Sequence, residues 1–452
     1  IVLIAYYNPI FKSLPFKNAV LIVSSIFFYA WGEPVYVLLM LGSILVNWAL
    51  GLAVDKNRGN KKGRAALTVS VIFNIGMLFV FKYLTFTLEN INSLFHTSLD
   101  TLNITLPIGI SFFTFQAMSY VIDVYRGNGD VQKNPCNVAL YISFFPQLIA
   151  GPIVQSTTVA KELDHRVNTT EDFALGARRF TVGLAKKVLL ANAIGALWEE
   201  CLAAQSAGTL SVVSGWLGLF AYGFQIYFDF SGYSDMAIGL GQIFGFRFLE
   251  NFRYPYLASS VSEFWRRWHM SLTGWFRDYL YIPLGGNRCG TVKTVRNIFI
   301  VWFCTGFWHG ASWNFVIWGL YFFCWLMLEK YLLRNVLEHT PGAVKHLYTI
   351  IVVFVGWGIF AMEDLSVCGG YFRVCFGGGA LWSAVDGYYL RTYAVLLVLL
   401  TVGSANTVKA VWERLPERAR EALAPVLMLA GLVLCTAYLV DGSYNPFLYF
   451  RF

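Results

Sequence analysis

The sequence predicts an all-α polytopic membrane protein, and three observations predict it. Of 452 residues, 57% are hydrophobic and 13% charged, against about 25% charged in a soluble chain of ordinary composition. The apolar residues gather into roughly a dozen runs, most of a length that crosses a ~30 Å hydrocarbon core. Basic residues fall in the short segments between runs, the asymmetry that sets orientation in a bilayer.

The runs follow one another in a consistent path. Runs 1–11 and 18–31 open the chain, and 35–54 follows. It ends at Asp55-Lys56-Asn57-Arg58-Gly59-Asn60-Lys61-Lys62-Gly63-Arg64, a basic loop that marks the cytoplasmic side. Run 65–86 returns outward to 87–103, which carries Glu89 and Asp100 and neither Lys nor Arg. Run 104–125 comes back to Asp123, Arg126 and Lys133. Runs 188–204 and 209–228 go out and in. The stretch 251–297 holds Arg253, Arg266, Arg267, Arg277, Arg288, Lys293 and Arg296 and belongs at the inner face. Runs 298–312, 315–333, 346–362, 392–408 and 422–440 complete the path, with both ends outside.

Two stretches resist simple spanning. Residues 138–155 contain Pro146, Gln147, Gly151 and Pro152, and residues 229–248 contain Asp229, Ser231, Asp235 and several glycines. Broken polar backbone at membrane depth is tolerated only when buried in protein or lining a cavity, so both are expected to be re-entrant. For 229–248 an ordinary helix with small residues at its packing face is the alternative. The stretch 251–297, dense in Trp, Tyr and Arg, predicts amphipathic helices lying at the inner surface. No soluble domain or internal repeat is legible, so residues 1–452 are expected to form a single integral-membrane domain.

Composition excludes several classes. The net charge of +8 fits the orientation bias of a membrane protein, and nucleic acid is not expected as a partner. Eight cysteines form no CxxC pair, so no metal site is expected. Cys368 and Cys375 share one outer loop, where the unpaired state is the simpler expectation. There is no P-loop, dinucleotide fingerprint or GxSxG elbow. Asn314 stands where an HxxxxD motif beginning at His309 would need Asp. No tightly bound cofactor is implied.

The chemistry-bearing residues are two histidines. His309 lies in Trp308-His309-Gly310-Ala311-Ser312-Trp313-Asn314 inside an apolar run. A helix starting near Ile298 puts it about 16 Å along, near mid-bilayer. An ionisable group there is a functional candidate by default, and imidazole suits proton transfer near neutral pH. The alternative is a buried histidine that bridges two helices. Gly310, Ser312 and Asn314 suit a break after it; if the helix persists instead, Thr305 and Trp313 share its face. The run 298–312 is only about 22 Å long as a helix, which predicts local thinning or an outer funnel. His269, in the basic interfacial stretch, reads first as an ordinary interfacial histidine. Arg266 and Arg267 fit lipid headgroups, or a phosphorylated donor such as coenzyme A. Asp229 and Asp235 need partners: structural pairing or capping is the simpler expectation, a proton relay the other. At this level an enzyme and a proton-coupled transporter or flippase remain equal readings.

Longer motifs separate them. Asn251-Phe252-Arg253-Tyr254-Pro255-Tyr256, Phe264-Trp265-Arg266-Arg267-Trp268-His269-Met270-Ser271-Leu272 and Trp275-Phe276-Arg277-Asp278-Tyr279-Leu280-Tyr281-Ile282-Pro283-Leu284-Gly285-Gly286-Asn287 stand together with Trp308-His309-Gly310 and Trp313-Asn314. Leu106 through Gln116 and Gln147 through Ile153 add to the set. In these the chain resembles the membrane-bound O-acyltransferases, in the bacterial branch that acetylates alginate, with the teichoic-acid D-alanylating branch more distant. The resemblance implies a ring of roughly 11–12 transmembrane helices with a thinned centre. It implies His309 as the catalytic residue in an internal tunnel and His269 as the second family histidine. Trp308, Trp313, Asn314, Asp229 and Gln116 are expected to line that tunnel or its substrate path. It further implies acetyl-coenzyme A as acyl donor, an extracellular polysaccharide as acceptor, an extracytoplasmic acetyltransferase as partner, and a place in the bacterial cytoplasmic membrane among its lipids. Residues 365–391, an outer loop rich in Gly and aromatics, are a candidate docking surface for that partner, with a plain connection as the alternative.

Overall fold

The computed structural model of the chain describes residues 1–10, 12–102, 104–442 and 445–448. Among these every regular element is a helix. The chain divides into two compact units, residues 1–180 with 236–249 and residues 181–235 with 250–452.

The first unit opens with α1 (Val2–Tyr6), α2 (Leu14–Gly32) and α3 (Tyr36–Lys56). Then come α4 (Lys61–Phe95, through a π turn at Phe79–Tyr83), α5 (Ile110–Arg126), α6 (Pro135–Ser143) and α7 (Ser156–Asp164). Its core is α5, buried along nearly its whole length, with Gln116 among its buried residues. Polar groups between α3 and α4 satisfy one another: Asn47 Nδ2 donates to Asn74 Oδ1 at 3.2 Å, and Asn74 Nδ2 donates to Asn47 Oδ1 at 2.7 Å. Interhelical amide bonds of this kind hold helices together where lipid offers no hydrophobic drive.

Two expectations for this unit need separate answers. Run 1–11 is not a span. Its helix stops at Tyr6 because Asn8 precedes Pro9, and the residue before proline is disfavoured in helix. Tyr6 instead donates to the Phe244 carbonyl at 2.7 Å, and Arg166 stacks on Phe246 at 4.6 Å. Residues 144–155, by contrast, are non-helical and almost wholly buried, as expected of broken backbone at depth.

Helices α8 (Thr170–Ser206) and α9 (Val212–Ile243) contribute to both units. Of the two readings of 229–248, the ordinary helix is what the structure shows as far as Ile243, where α9 ends. Its glycines serve close packing. In the first unit a Cβ on Gly239 would stand 2.6 Å from the Gly176 carbonyl, and in the second a Cβ on Gly232 would stand 2.7 Å from the Gly183 carbonyl. Residues 170–187, which precede the run 188–204, are helical too; Arg178, Arg179, Lys186 and Lys187 lower the hydropathy of this start of α8.

The second unit continues with α10 (Val261–Arg267), α11 (Met270–Phe276), α12 (Thr291–His309) and α13 (Trp313–Leu332). After them come α14 (Arg334–His339), α15 (Gly342–Ala361), α16 (Leu365–Arg373), α17 (Ala384–Gly403), α18 (Thr407–Arg414) and α19 (Glu417–Asp441). Eight helices among the described residues are long and apolar enough to cross a membrane: α2, α3, α4, α8, α13, α15, α17 and α19. The expected spans 104–125, 209–228 and 298–312 are the helices α5, α9 and α12, which fall short in length or in apolar character. The protein is thus a polytopic, all-helical membrane protein. Residues 365–391 hold α16 and the start of α17, and all eight cysteines are free.

Candidate functional site

The segment before α10 folds back on the residues after it. Arg253 N–H donates to the Arg267 carbonyl and Met270 N–H to the Asn251 carbonyl, both at 2.9 Å. This turn forces His269 to φ 43°, in the left-handed region. A non-glycine residue held there costs about 1–3 kcal/mol, so something must hold it. Asn251 Oδ1 does. It accepts from Ser271 N–H at 3.1 Å, from Ser271 Oγ at 2.9 Å and from His269 Nδ1 at 3.2 Å. The backbone donor identifies this end of the amide as oxygen, so Nδ1 carries the imidazole proton and Nε2 is the acceptor nitrogen. His269 is 2% exposed, and burial pushes its pKa down to about 3. The ring is therefore neutral at physiological pH, with Phe230 edge-on at 4.7 Å.

His309 is placed differently. It is the last residue of α12, and Gly310 is extended. A Cβ on Gly310 would overlap the Phe315 ring, so the sharp exit needs glycine. His309 is 7% exposed in an aromatic cage: Trp308 and Trp318 at 5.1 Å, Phe360 at 5.2 Å and Phe315 at 6.5 Å. Because the helix ends here, Trp313 does not share its face. Trp313 begins α13 and is 52% exposed. Thr305 donates its hydroxyl to the Val301 carbonyl at 2.7 Å. Asn314 is fully buried and donates to the Phe360 carbonyl at 3.1 Å. It ties the start of α13 to the end of α15 and so fixes one wall of the cage.

Trp308 joins the two histidines, its ring 5.1 Å from His309 and 6.3 Å from His269. Behind the cage Trp318 meets Trp302 at 6.1 Å, and Trp265 meets both, at 4.9 Å from Trp302 and 5.5 Å from Trp318. Trp302 then lines a cavity of about 720 Å³, with Arg266, Arg277, Lys330, Arg334 and Lys345 around it. Two indoles, Trp302 and Trp318, thus stand between His309 and a cavity whose lining sets these cations against Glu329 and Glu338. Arg266 lines it. Arg267 does not, and its guanidinium pairs with Glu263 at 2.6 Å.

Asp229 is a partner in a buried ion pair, 2.6 Å from Lys187 Nζ, and Asp235 pairs with Lys186 at 2.6 Å. The chain's return strengthens the first pair. Leu448 N–H donates to Asp229 Oδ2 at 2.9 Å, and Lys187 Nζ donates to the Pro446 carbonyl at 3.0 Å. Structural pairing, the simpler expectation, is what the geometry gives. Gln116 lies in the other unit, buried on α5. Sequence reasoning missed the cavity cations beyond Arg266 and missed Lys187. Their signal was present, since Lys187 precedes an apolar run as Asp229 interrupts another.

A family model described as "MBOAT, membrane-bound O-acyltransferase family" matches residues 130–369. A probable alginate O-acetylase of Pseudomonas putida is 36% identical, covering 97% of this chain and 95% of its own length. A peptidoglycan O-acetyltransferase of Helicobacter pylori is 36% identical over 79% of this chain and 72% of its own length. More distant is a teichoic acid D-alanyltransferase of Bacillus subtilis, 29% identical over 51% of this chain and 61% of its own length.

Proposed function

We propose, from the premise that this chain belongs to the membrane-bound O-acyltransferase family, that it takes an acetyl group from acetyl-coenzyme A on the cytosolic side and passes it to a hydroxyl acceptor outside. An extracytoplasmic partner then completes O-acetylation of an extracellular polysaccharide of the alginate kind. The acetyl group and the polymer acceptor are supported by the relatives, whose names specify O-acetylation of alginate and of peptidoglycan. The observation that carries the mechanism is the aromatic cage of His309 joined to a basic cavity through Trp318 and Trp302.

His309 acts as general base. It removes the proton of the acceptor hydroxyl, whose oxygen attacks the thioester carbonyl. The carbon–sulfur bond breaks, and the departing thiolate takes the proton from the imidazolium. Proton transfer by a placed histidine contributes about 10²–10⁴-fold, and alignment of the two reactants adds more. Trp308 and the rings around it exclude water, which would otherwise compete for the thioester. His269, neutral and with Nε2 as acceptor, receives a hydrogen bond from the donor's amide-bearing arm. Arg266, with Arg277, Lys330, Arg334 and Lys345, answers the donor's phosphates. Arginines at the inner surface outside the cavity meet lipid headgroups.

The test uses purified protein in liposomes with acetyl-labelled coenzyme A, comparing wild type, H309A and H269A at matched monodispersity. Loss of donor turnover in H309A is the expected result. Equal turnover in all three removes His309 from the chemistry. Label movement that follows a proton gradient, without thioester loss, returns the transporter reading.

A further inference from the structure

Helix α13 is apolar until Glu329, where a carboxylate is expensive unless bonded. A π turn over Leu328–Leu332 swings this side chain inward, and it is buried. Its two oxygens take the first two amides of α10. Val261 N–H donates to Oε1 at 2.7 Å and Ser262 N–H to Oε2 at 3.0 Å. Tyr348, from α15, adds its hydroxyl to Oε1 at 3.4 Å. The next amide, Glu263 N–H, donates to Ser260 Oγ at 3.0 Å. The opening turn of a helix has no intrahelical partners for these groups, and here a carboxylate from 68 residues downstream supplies most of them.

What α10 carries makes this consequential. It has seven residues, too few to hold itself by its own hydrogen bonds. Trp265 on it braces the wall of Trp302 and Trp318 that stands between the basic cavity and the His309 cage. Its far end runs through Trp268 into the left-handed turn of His269. A shift or rotation of α10 therefore moves the wall and His269 together. Ser260 caps α10 from adjacent sequence, as Asp364 caps α16. Glu329 adds a tie from a membrane-spanning helix to the two amides that Ser260 does not take.

We propose that Glu329 is a positioning residue of the acyl-transfer site, placing His269 and the Trp265 wall by holding the two leading amides of α10. The proposal rests on the acyltransfer reading above. Its test therefore includes a readout that needs no activity.

Full-length wild type, E329Q and E329A are reconstituted and assayed for acetyl-coenzyme A turnover. In parallel, modification of histidines by diethyl pyrocarbonate is followed by mass spectrometry, with exposed His339 as internal standard. E329A is expected to lose about 10²-fold in kcat, the scale of a misplacement near 1 Å. His269 modification is expected to rise severalfold against His339. E329Q, isosteric and still able to accept from one amide, falls between the two. Wild-type kcat and wild-type His269 modification in a monodisperse E329A overturn the proposal. If E329A does not fold, E329Q decides: lowered kcat with raised modification supports the role, and wild-type behaviour in both overturns it. A KM change with wild-type His269 modification assigns Glu329 to the charge of the cavity and also overturns it, whereas a raised KM with raised modification supports it, since His269 acts on donor affinity. If the wild type itself does not consume acetyl-coenzyme A, the acyltransfer reading fails, while His269 modification still decides the positioning.

Discussion

His269 and His309 are the same residue in two kinds of confinement. His269 is held by hydrogen bonds: its backbone is strained, its Nδ1 is tied to Asn251, and its protonation is fixed as neutral by burial. His309 sits at a helix end among four aromatic rings, with glycine allowing the turn that follows. The bonds to Asn251 specify one tautomer and one orientation of His269. The rings around His309 specify its position. Under the proposed function the first is the group that binds and the second the group that reacts.

The sharpest break in this contrast is kinetic. H309A is expected to lower donor turnover by about 10²–10⁴-fold, whereas H269A acts mainly on donor affinity, read as a KM change in the same assay. A structural counterpart comes from the neighbouring ion pair. K187M leaves Asp229 buried and uncompensated, and is expected to cost about 3–5 kcal/mol in unfolding stability, while K187M with D229L recovers most of it. A thermal scan of both variants in detergent decides this.

N251A removes the acceptor on which three donors converge at His269. It is expected to destabilise by about 1–3 kcal/mol, measurable in the same scan, with H309A indifferent by comparison. Acid sensitivity is subtler. The folded pKa of His269, about 3, lies below the ordinary imidazole value of about 6.5, so the folded state binds fewer protons than the unfolded one. The stability from this site is complete above about pH 6.5 and drains away as pH falls toward 3. H269Q should flatten that part of the stability–pH curve. A curve identical to wild type would show that His269 is not held neutral. Smallest, R266A is expected to raise the donor KM severalfold with kcat unchanged, and R267A to leave KM as it is, since Arg267 serves Glu263.

Much of this was legible in the sequence, unevenly. His309 announced itself because an ionisable group interrupts an apolar run, and the need for partners at Asp229 and Asp235 followed from the same cost. The buried, broken backbone of 144–155 was readable from its prolines and glycines. The glycines of α9 left two readings open, because glycine marks either a break or a close approach and a single chain does not say which. Glu329 escaped notice because Lys330 beside it makes the pair read as the polar end of a span. Its role depends on a contact 68 residues away that no local pattern encodes. The end of α12 at His309 was legible from Gly310, Ser312 and Asn314, which suit a break; the Phe315 ring that makes glycine necessary there was not.

The paired charges of α8 and α9 also bear on how the protein is made. Lys186 and Lys187 lie on one helix and Asp235 and Asp229 on the next, with only residues 207–211 between them. Presented alone to the insertion machinery, α8 brings Lys186 and Lys187 and α9 brings Asp229 and Asp235 without these partners, at about 2.5–3.5 kcal/mol apiece when they lie near a helix centre. Presented as a hairpin, these four charges pair off. Biogenesis therefore favours holding α8 at the translocon until α9 has emerged from the ribosome, so that the two leave for the lipid with both ion pairs made.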